Sequence, residues 1–281
     1  MEFYNELKIF MERTNSYQSY IKSPYKSIKH STYFASYDHF FGGFRNKEIT
    51  FVEIGVLGGG SLFMWRDYFG PKARIIGVDL NPDAKKWEEY GFEIFIGSQS
   101  DEHFWSNFKA KLGGIDIVLD DGGHTYEQQI ITTECLLGAI NDGGLLVVED
   151  THTSYMRGFG PQHYSFIEYA KKKIDDINYR FSNFYDKECE RRIWSIEFVE
   201  SMVAFKVNNN ASSLHSESTT NNGKDDQAED FRHRNAPVSK KMITFFERFN
   251  ISTKGKFVKK IIKKSEKIFN KRKFTAKKYF E

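Results

Sequence analysis

Cysteines and long apolar runs are both scarce in this chain. The 281 residues include two cysteines, Cys135 and Cys189, whose wide separation matches neither a metal-ligand spacing nor a disulfide framework. A reducing compartment is therefore expected. No apolar run approaches the roughly 20 residues that a membrane-spanning helix needs. The N-terminus is charged and lacks the apolar core of a signal peptide, so we expect a cytoplasmic protein.

Acidic and basic residues nearly balance over the whole chain but not along it. The net charge is +3, yet residues 238–281 contain 15 Lys and Arg against 3 Asp and Glu, a local charge of +12. The remaining 26 basic and 35 acidic residues give −9. The chain therefore consists of an acidic body and a basic tail, a difference that the net charge of +3 conceals.

Predicted strands and helices alternate between residues 50 and 150. Strands are predicted at 50–55, 74–79, 92–96, 115–120 and 144–149, and helices at 61–69, 83–90, 101–111 and 126–140. This alternation predicts an α/β fold with a doubly wound, mostly parallel sheet and helices on both faces. Ligands of such sheets collect at the carboxyl ends of the strands.

A glycine-rich turn follows the first of these strands. The glycines within residues 55–60 let the backbone turn sharply and approach a ligand, and Ser61 is expected to cap the next helix. The second strand ends at Asp79, whose carboxylate would accept hydrogen bonds from ribose hydroxyls. Together these features are typical of a nucleotide-like ligand in an open α/β sheet. A purely structural turn is the alternative.

The spacing of the turn indicates which nucleotide binds there. Its pattern, G-x-x-G-G-G, differs from the dinucleotide fingerprint G-x-G-x-x-G. Glu53 precedes the first glycine by two residues, where a carboxylate would repel a pyrophosphate but suit the cationic groups of S-adenosylmethionine (SAM). With Asp79, this pattern resembles the class I SAM-dependent methyltransferases. The polar run that contains Gln99 would contact the adenine or, alternatively, cap the helix after it.

Two later strands end in pairs of acidic residues. One ends in Asp120 and Asp121, and the other is followed by Glu149 and Asp150. If these strands are neighbours, roughly 5 Å apart, then Asp121, Glu149 and Asp150 repel one another unless protons or a cation intervene. Such hard oxygen ligands suit Mg²⁺, or Mn²⁺ in its place. The alternative is that these acids cap the following helices and stay solvated.

Two histidines follow the acid pairs. His124 lies three residues after Asp121, beyond two glycines, where a neutral imidazole would take the proton from a metal-bound hydroxyl. A lone loop histidine is more often a surface residue. His152 is placed less well and is interpreted as lying behind the metal ligands or facing the substrate.

The acid motifs resemble those of a known enzyme family. Asp121-Gly-Gly-His124 and the run from Glu149 to Tyr155 look like the metal-dependent sugar O-methyltransferases of macrolide tailoring, and like the related rhamnosyl O-methyltransferase and cephalosporin hydroxylase group. The resemblance covers about residues 25–207 and implies a Rossmann-like, seven-stranded sheet whose last strand is antiparallel. It also implies Mg²⁺ at Asp121, Glu149 and Asp150, His124 as the general base, and a SAM site at Glu53, Gly55, Gly59, Ser61, Asp79, Gln99 and Asp120.

The ends of the chain differ from this central domain at 50–207. Residues 1–49 are predicted to be a helical segment, in which residues 26–41 either lie over the cofactor and substrate or simply pack on the domain. Residues 208–237 have the composition of a disordered linker. In residues 238–281, aromatic and aliphatic residues alternate with lysines. This basic amphipathic helical tail suits an anionic membrane surface or an acidic partner protein better than a nucleic acid. A solvated lysine-rich helix is the alternative.

These patterns together predict a Mg²⁺-dependent SAM O-methyltransferase. Its acceptor would be a sugar hydroxyl of a saccharide or glycolipid, in bacterial surface-polysaccharide or glycolipid assembly. The macrolide enzymes have a large N-terminal domain before the catalytic one, and no such domain is expected here, so substrate and oligomeric state stay open. A catechol-type O-methyltransferase and a binding protein without turnover are the alternatives. The tail would place the protein at the inner face of the cytoplasmic membrane.

Overall fold

A computed structural model gives the fold of the chain. The residues that it describes are 9, 11–181, 192–214, 216–224, 237–249 and, after these, 257, 258, 260–262, 264, 265, 268 and 279. Two compact units divide the chain, residues 1–218 and 219–281. In the described residues no helix is both long and apolar enough to cross a bilayer.

A seven-stranded sheet forms the centre of the first unit. Its strands are β1 (Thr50–Ile54), β2 (Arg74–Asp79), β3 (Glu93–Ile96), β4 (Ile115–Asp120), β5 (Ile140–Val148), β6 (Ile193–Val199) and β7 (Met202–Val207). The strand order is β3-β2-β1-β4-β5-β7-β6, with β1 to β5 parallel to one another and β7 antiparallel to both neighbours. The chain order reverses between β1 and β4, so the carboxyl ends of these two strands meet at the switch point, where ligands of such sheets bind.

Helices cover both faces of the sheet. The helices of the first unit are α1 (Asn15–Lys22), α2 (Tyr33–Phe41), α3 (Gly60–Phe69), α4 (Glu102–Leu112), α5 (Tyr126–Leu137), α6 (Phe166–Asn178) and α7 (Asn209–Ser212). The second unit contains α8 (Pro237–Arg248). The core has two layers because the strand side chains alternate: Phe51 packs with α2 and α3, whereas Val52 packs with α4 and α5. Both layers are rich in fully buried aromatic rings, which fix the helices on the sheet.

The predicted elements match those of the sheet closely. The strands predicted at 74–79 and 115–120 have the bounds of β2 and β4, and β5 begins four residues before its predicted start. The predicted helix at 83–90 is a 3₁₀ helix, Pro82–Tyr90, capped by the side chain of Asn81. The expectation that Ser61 caps a helix is wrong: α3 starts after Gly59, and the Ser61 hydroxyl donates to Glu53 instead. The fold prediction itself is confirmed.

The N-terminal segment lies against the glycine turn. The Ser23 hydroxyl donates to the carbonyl of Gly60 over 2.8 Å, and a Cβ atom on Gly60 would stand 2.4 Å from the carbonyl oxygen of Tyr25. Residue 60 therefore has to be glycine for the chain to pass this closely. Residues 23–32, between α1 and α2, form a strap across this edge of the sheet. Residues 1–8 of the predicted N-terminal helical segment lie outside the described residues.

The domain extends past the boundary predicted at residue 207. Asn208 caps α7, and the Asp142 carboxylate accepts hydrogen bonds from the backbone N–H groups of Asn209 and Asn210. These contacts tie the first residues of the predicted 208–237 linker to the turn inside β5. The central residues of that linker, 225–236, are outside the described part of the chain.

Candidate active site

A cleft of about 430 Å³ opens at the carboxyl ends of the parallel strands. This volume lies within the roughly 300–1,000 Å³ that small-molecule sites occupy. Three of the seven predicted cofactor residues, Gly55, Asp79 and Gln99, line it, together with the predicted metal and base residues Asp121, His124 and Asp150. The exposed side chains of Ile28 and Leu57 also line it.

Asp79 shapes the glycine turn that borders the cleft. Its carboxylate accepts hydrogen bonds from the backbone N–H groups of Val56 and Leu57, each over 2.9 Å, and from Asn81 over 2.8 Å. Gly55 has φ +91°, and a Cβ atom there would stand 2.1 Å from the carbonyl oxygen of Asp121. The first and fourth strands therefore approach closely only because residue 55 is glycine.

Glu53 lies behind the cleft and not on its surface. It is fully buried, and its two oxygens accept hydrogen bonds from Ser61 Oγ at 2.8 Å and Trp65 Nε1 at 3.0 Å. Burial raises its pKa to about 7, although the Lys29 charge opposes this shift. These two hydrogen bonds hold the first half of α3 against Glu53. Direct contact between Glu53 and a cationic ligand stays a prediction.

Gln99 and Asp120 form a second anchoring pair. Gln99 Nε2 donates to Asp120 Oδ1 over 2.6 Å, and Gln99 Oε1 accepts from the Gly123 N–H over 2.8 Å. Asp120 is buried, which raises its pKa to about 7, and its Oδ2 has no hydrogen-bond partner. Gln99 thus holds the Asp-Gly-Gly turn in place, and Asp120 supports it from below. Like Glu53, Gly59 and Ser61, Asp120 does not line the cleft.

The acid motifs converge at one end of the cleft. Asp121, His124 and Asp150 each present a ligand atom, and these atoms all lie within 4.8 Å of one another. His124 Nε2 is 3.4 Å from Asp150 Oδ2. His124 and Asp150 adopt the left-handed backbone conformation, with φ of 59° and 54°. Such strain in non-glycine residues is concentrated at ligand sites in proteins, where the surrounding structure maintains it.

Lys29 of the strap enters this group of acids, and sequence analysis did not single it out. Its side chain is only 2 % exposed, and Nζ lies 2.5 Å from Asp121 Oδ2 and 3.2 Å from Glu149 Oε2. Burial opposes the charged form, but the two carboxylates raise the Lys29 pKa well above its usual value. The Lys29 ammonium therefore lies between Asp121 and Glu149, two of the three predicted metal ligands. We define Lys29, Asp121, His124, Glu149 and Asp150 as the acid cluster.

The acid cluster fits a divalent cation in addition to Lys29. One ammonium neutralises one of its three carboxylates, and burial together with the Asp121 charge raises the pKa of Glu149. Of the three predicted metal ligands, Asp121 and Asp150 share the group of ligand atoms with His124, whereas Glu149 is outside that group and has the Tyr37 hydroxyl beside it. The donors of the group, two carboxylates and one imidazole, are of kinds that Mg²⁺ and Mn²⁺ accept.

Comparison with known proteins identifies the central domain. Residues 52–151 match the family described as "Methyltransferase domain". The chain carries a methyltransferase domain. Its curated relatives include the 8-demethyl-8-alpha-L-rhamnosyl tetracenomycin-C 2'-O-methyltransferase of Streptomyces olivaceus, 38 % identical over 135 residues, which are 46 % of this chain and 35 % of the relative. The mycinamicin VI 2''-O-methyltransferase of Micromonospora griseorubida is 36 % identical over 133 residues, 45 % of this chain and 33 % of the relative.

Solved structures agree with this assignment. The MycE methyltransferase of the mycinamycin pathway, in complex with Mg and SAH, matches with a TM-score of 0.64 at 25 % identity, over 75 % of this chain and 58 % of MycE. A second MycE complex, which also contains mycinamycin VI, gives 0.60 at 26 % identity, over 72 % and 56 %. The resemblance to macrolide and sugar O-methyltransferases is thus confirmed, although the chain spans about a third of the length of the two curated relatives compared above.

The buried ion pairs of Lys29 predict a large effect on stability. Replacing Lys29 by Met leaves Asp121 and Glu149 facing each other without a cation, and breaking a buried pair in this way costs about 3–5 kcal/mol. Thermal unfolding in EDTA should therefore begin at a clearly lower temperature in Lys29→Met than in the wild type. Added Mg²⁺ should raise the melting temperature of the variant more than that of the wild type.

Lys22 provides the matched control. It pairs with Asp67 at 3.1 Å, but the two side chains are 62 % and 40 % exposed. Such surface pairs contribute at most about 1 kcal/mol, so Lys22→Met should unfold almost like the wild type. Equal melting temperatures for the two variants would show that Lys29 does not stabilise the cluster.

Proposed function

We propose that this protein is a SAM-dependent O-methyltransferase that uses Mg²⁺, or Mn²⁺ in its place, to methylate a sugar hydroxyl. The observation that carries the proposal is the position of the acid cluster, at one end of a cleft whose other side is the glycine turn and Asp79. A cofactor in the cleft would present its methyl group next to a hydroxyl held at the cluster. The relatives named above support both the reaction and the acceptor class.

The residues of the site have separate tasks in this reaction. Asp79 and the glycine turn would hold the adenosyl part of SAM, since the Asp79 carboxylate and its loop border the cleft. The acid cluster would hold a divalent cation, which supplies charge stabilisation to the acceptor oxygen and lowers the pKa of the hydroxyl. His124, about one quarter exposed, would accept the hydroxyl proton and release it to solvent. With both reactants held in one cleft, the acceptor oxygen would meet the methyl group without the entropic cost of a bimolecular encounter.

The acceptor class is supported more firmly than its biological context. By their names, the curated relatives methylate a rhamnosyl tetracenomycin-C at the 2' or 3' position, mycinamicin VI at the 2'' position and demethylmacrocin. A saccharide or glycolipid of the bacterial surface stays our proposal for this chain. A catechol-type acceptor would use the same cluster, and a binding protein would keep SAM affinity without turnover. The protein is incubated with labelled SAM and extracted surface glycans, and separately with labelled SAM and catechols. A labelled glycan indicates a sugar O-methyltransferase, a labelled catechol indicates a catechol-type enzyme, and no labelled product indicates a binding protein.

Removal of the metal tests the role of the cluster. EDTA should abolish methyl transfer while SAH binding, measured by calorimetry, persists, because the glycine turn and Asp79 are outside the cluster. Mg²⁺ or Mn²⁺ should restore turnover. Asp121→Asn should bind SAH normally and remain inactive at ordinary Mg²⁺ concentrations. Full activity in EDTA would contradict the metal-dependent mechanism.

His124 is the base in this proposal because the carboxylates of the cluster are committed to cations. His124→Ala should keep SAH affinity and lower kcat by roughly 10² to 10⁴, the usual contribution of a positioned base. The basic limb of the pH profile should shift upward, since hydroxide then removes the proton. His103→Ala, at an exposed position on α4, is the control and should leave kcat unchanged. An unaltered kcat and pH profile in His124→Ala would assign His124 a structural role.

For the tail we propose an anionic membrane surface as the partner. In α8, Phe245 and Phe249 are more than half exposed and their ring centroids lie 4.9 Å apart, beside exposed Lys240 and Lys241. Exposed aromatic rings next to lysines suit the interface of an anionic bilayer.

Substitutions in α8 test the membrane proposal. Phe245→Ser together with Phe249→Ser should weaken binding to phosphatidylserine-containing vesicles at least about tenfold, because two apolar rings no longer leave water on binding. Thr244→Ala is the matched control, and high salt should weaken the binding of all variants. If the wild-type protein does not bind these vesicles at low salt, the membrane proposal is wrong, and an acidic protein partner becomes the proposal for the tail.

A further inference from the structure

Asp150 of the acid cluster is held by a chain of hydrogen-bonded side chains: Tyr33, Ser201 and His152. The Tyr33 hydroxyl donates to Asp150 Oδ1 in a short hydrogen bond. The same hydroxyl lies 2.9 Å from Ser201 Oγ, and Ser201 Oγ is in turn hydrogen-bonded to His152 Nδ1. Three separate elements meet here: the start of α2, the turn between β6 and β7, and the 3₁₀ helix that follows β5.

The Tyr33 proton goes to Asp150, because a carboxylate only accepts hydrogen bonds and Asp150 Oδ1 has Tyr33 as its donor. The Ser201 hydroxyl then lies against the oxygen of Tyr33 on one side and His152 Nδ1 on the other. In the tautomer that carries a proton on Nδ1, His152 donates to Ser201 and Ser201 donates to Tyr33, so every proton of the chain points towards Asp150.

Asp150 needs such support because its backbone is strained. It lies two residues after the end of β5 and has φ 54°, and Ser201, in the turn between β6 and β7, has φ 61°. The Thr151 N–H donates to the Ser201 carbonyl over 3.0 Å, so the two strained residues are also joined through the backbone. With Oδ1 committed to Tyr33, Oδ2 is the oxygen that faces His124, at 3.4 Å from Nε2.

We propose that Tyr33 is the positioning residue of Asp150, and that Ser201 and His152 hold the Tyr33 hydroxyl in place. The inference rests on the divalent-cation site of the proposed function. Outer hydrogen bonds of this kind orient metal-binding carboxylates, and losing one typically reduces metal affinity by about 10–100-fold. It also gives His152 a role, behind the ligands, which the sequence left open.

The test is calorimetric titration of the full-length protein with Mn²⁺ and with Mg²⁺. Tyr33→Phe keeps the buried ring but removes the hydroxyl, and its affinity for both ions should fall about 10–100-fold. Ser201→Gly suits the left-handed backbone and removes the CH₂OH side chain that holds the Tyr33 hydroxyl, so it should produce a smaller fall. In the double variant, Ser201→Gly should add nothing, because its effect passes through the Tyr33 hydroxyl.

Controls separate positioning from general damage. Tyr68→Phe removes the hydroxyl of another buried tyrosine, which lies beside Asp38, and metal affinity should not change. SAH affinity without metal should be equal in all variants. Activity of Tyr33→Phe should return at high Mg²⁺ with nearly normal kcat, as expected when only ligand orientation is lost.

Two outcomes have different meanings. If the wild type binds neither ion, the metal-dependent function fails and the inference falls with it. If the wild type binds Mn²⁺ and Tyr33→Phe binds it within about twofold, or if Ser201→Gly acts equally in both backgrounds, then the positioning role alone is overturned.

Discussion

The mutual repulsion of carboxylates at the ends of β4 and β5 is the constraint on which this site depends. Asp121, Glu149 and Asp150 are brought together by the parallel pairing of two strands, and Glu149 is completely buried. A protein interior accepts such a group only with compensating positive charge or protons. Lys29 supplies one positive charge, and the divalent cation of the proposed function would balance the negative charge that remains.

The same constraint explains why an N-terminal strap crosses the edge of the sheet. Lys29 reaches the acids only because residues 23–32 run against the glycine turn, where Gly60 leaves room for the backbone of Tyr25. Four residues later, Tyr33 reaches Asp150 from the start of α2. The strap and the helix after it therefore complete a site whose acidic side chains all come from the strand ends. The aromatic residues of α2 attach this segment to the sheet by burial.

Local sequence patterns were sufficient to predict the sheet and part of the lining of the cleft. Alternation of apolar strands with helices, the glycine turn, Asp79 and the paired acids each depend on residues close together in the chain. Lys29, Tyr33 and Ser201 were not predicted as site residues, because their role arises from contacts across more than 90 residues, such as Lys29 with Asp121. No local spacing marks one lysine of a polar segment as buried. Glu53 and Asp120 were predicted as cofactor-binding residues, but both are buried behind the surface of the cleft and support it.

The central claim is that the acid cluster binds a divalent cation beside the methyl donor. Anomalous diffraction at the manganese edge, from crystals grown with Mn²⁺ and SAH, tests it directly. We expect one strong anomalous peak within ligand distance of Asp121 and Asp150. SAH should lie in the adjoining cleft with its sulfur directed at that peak. The claim would be contradicted by ordered SAH with no manganese at the cluster, or by a peak on the far side of the sheet from the cofactor.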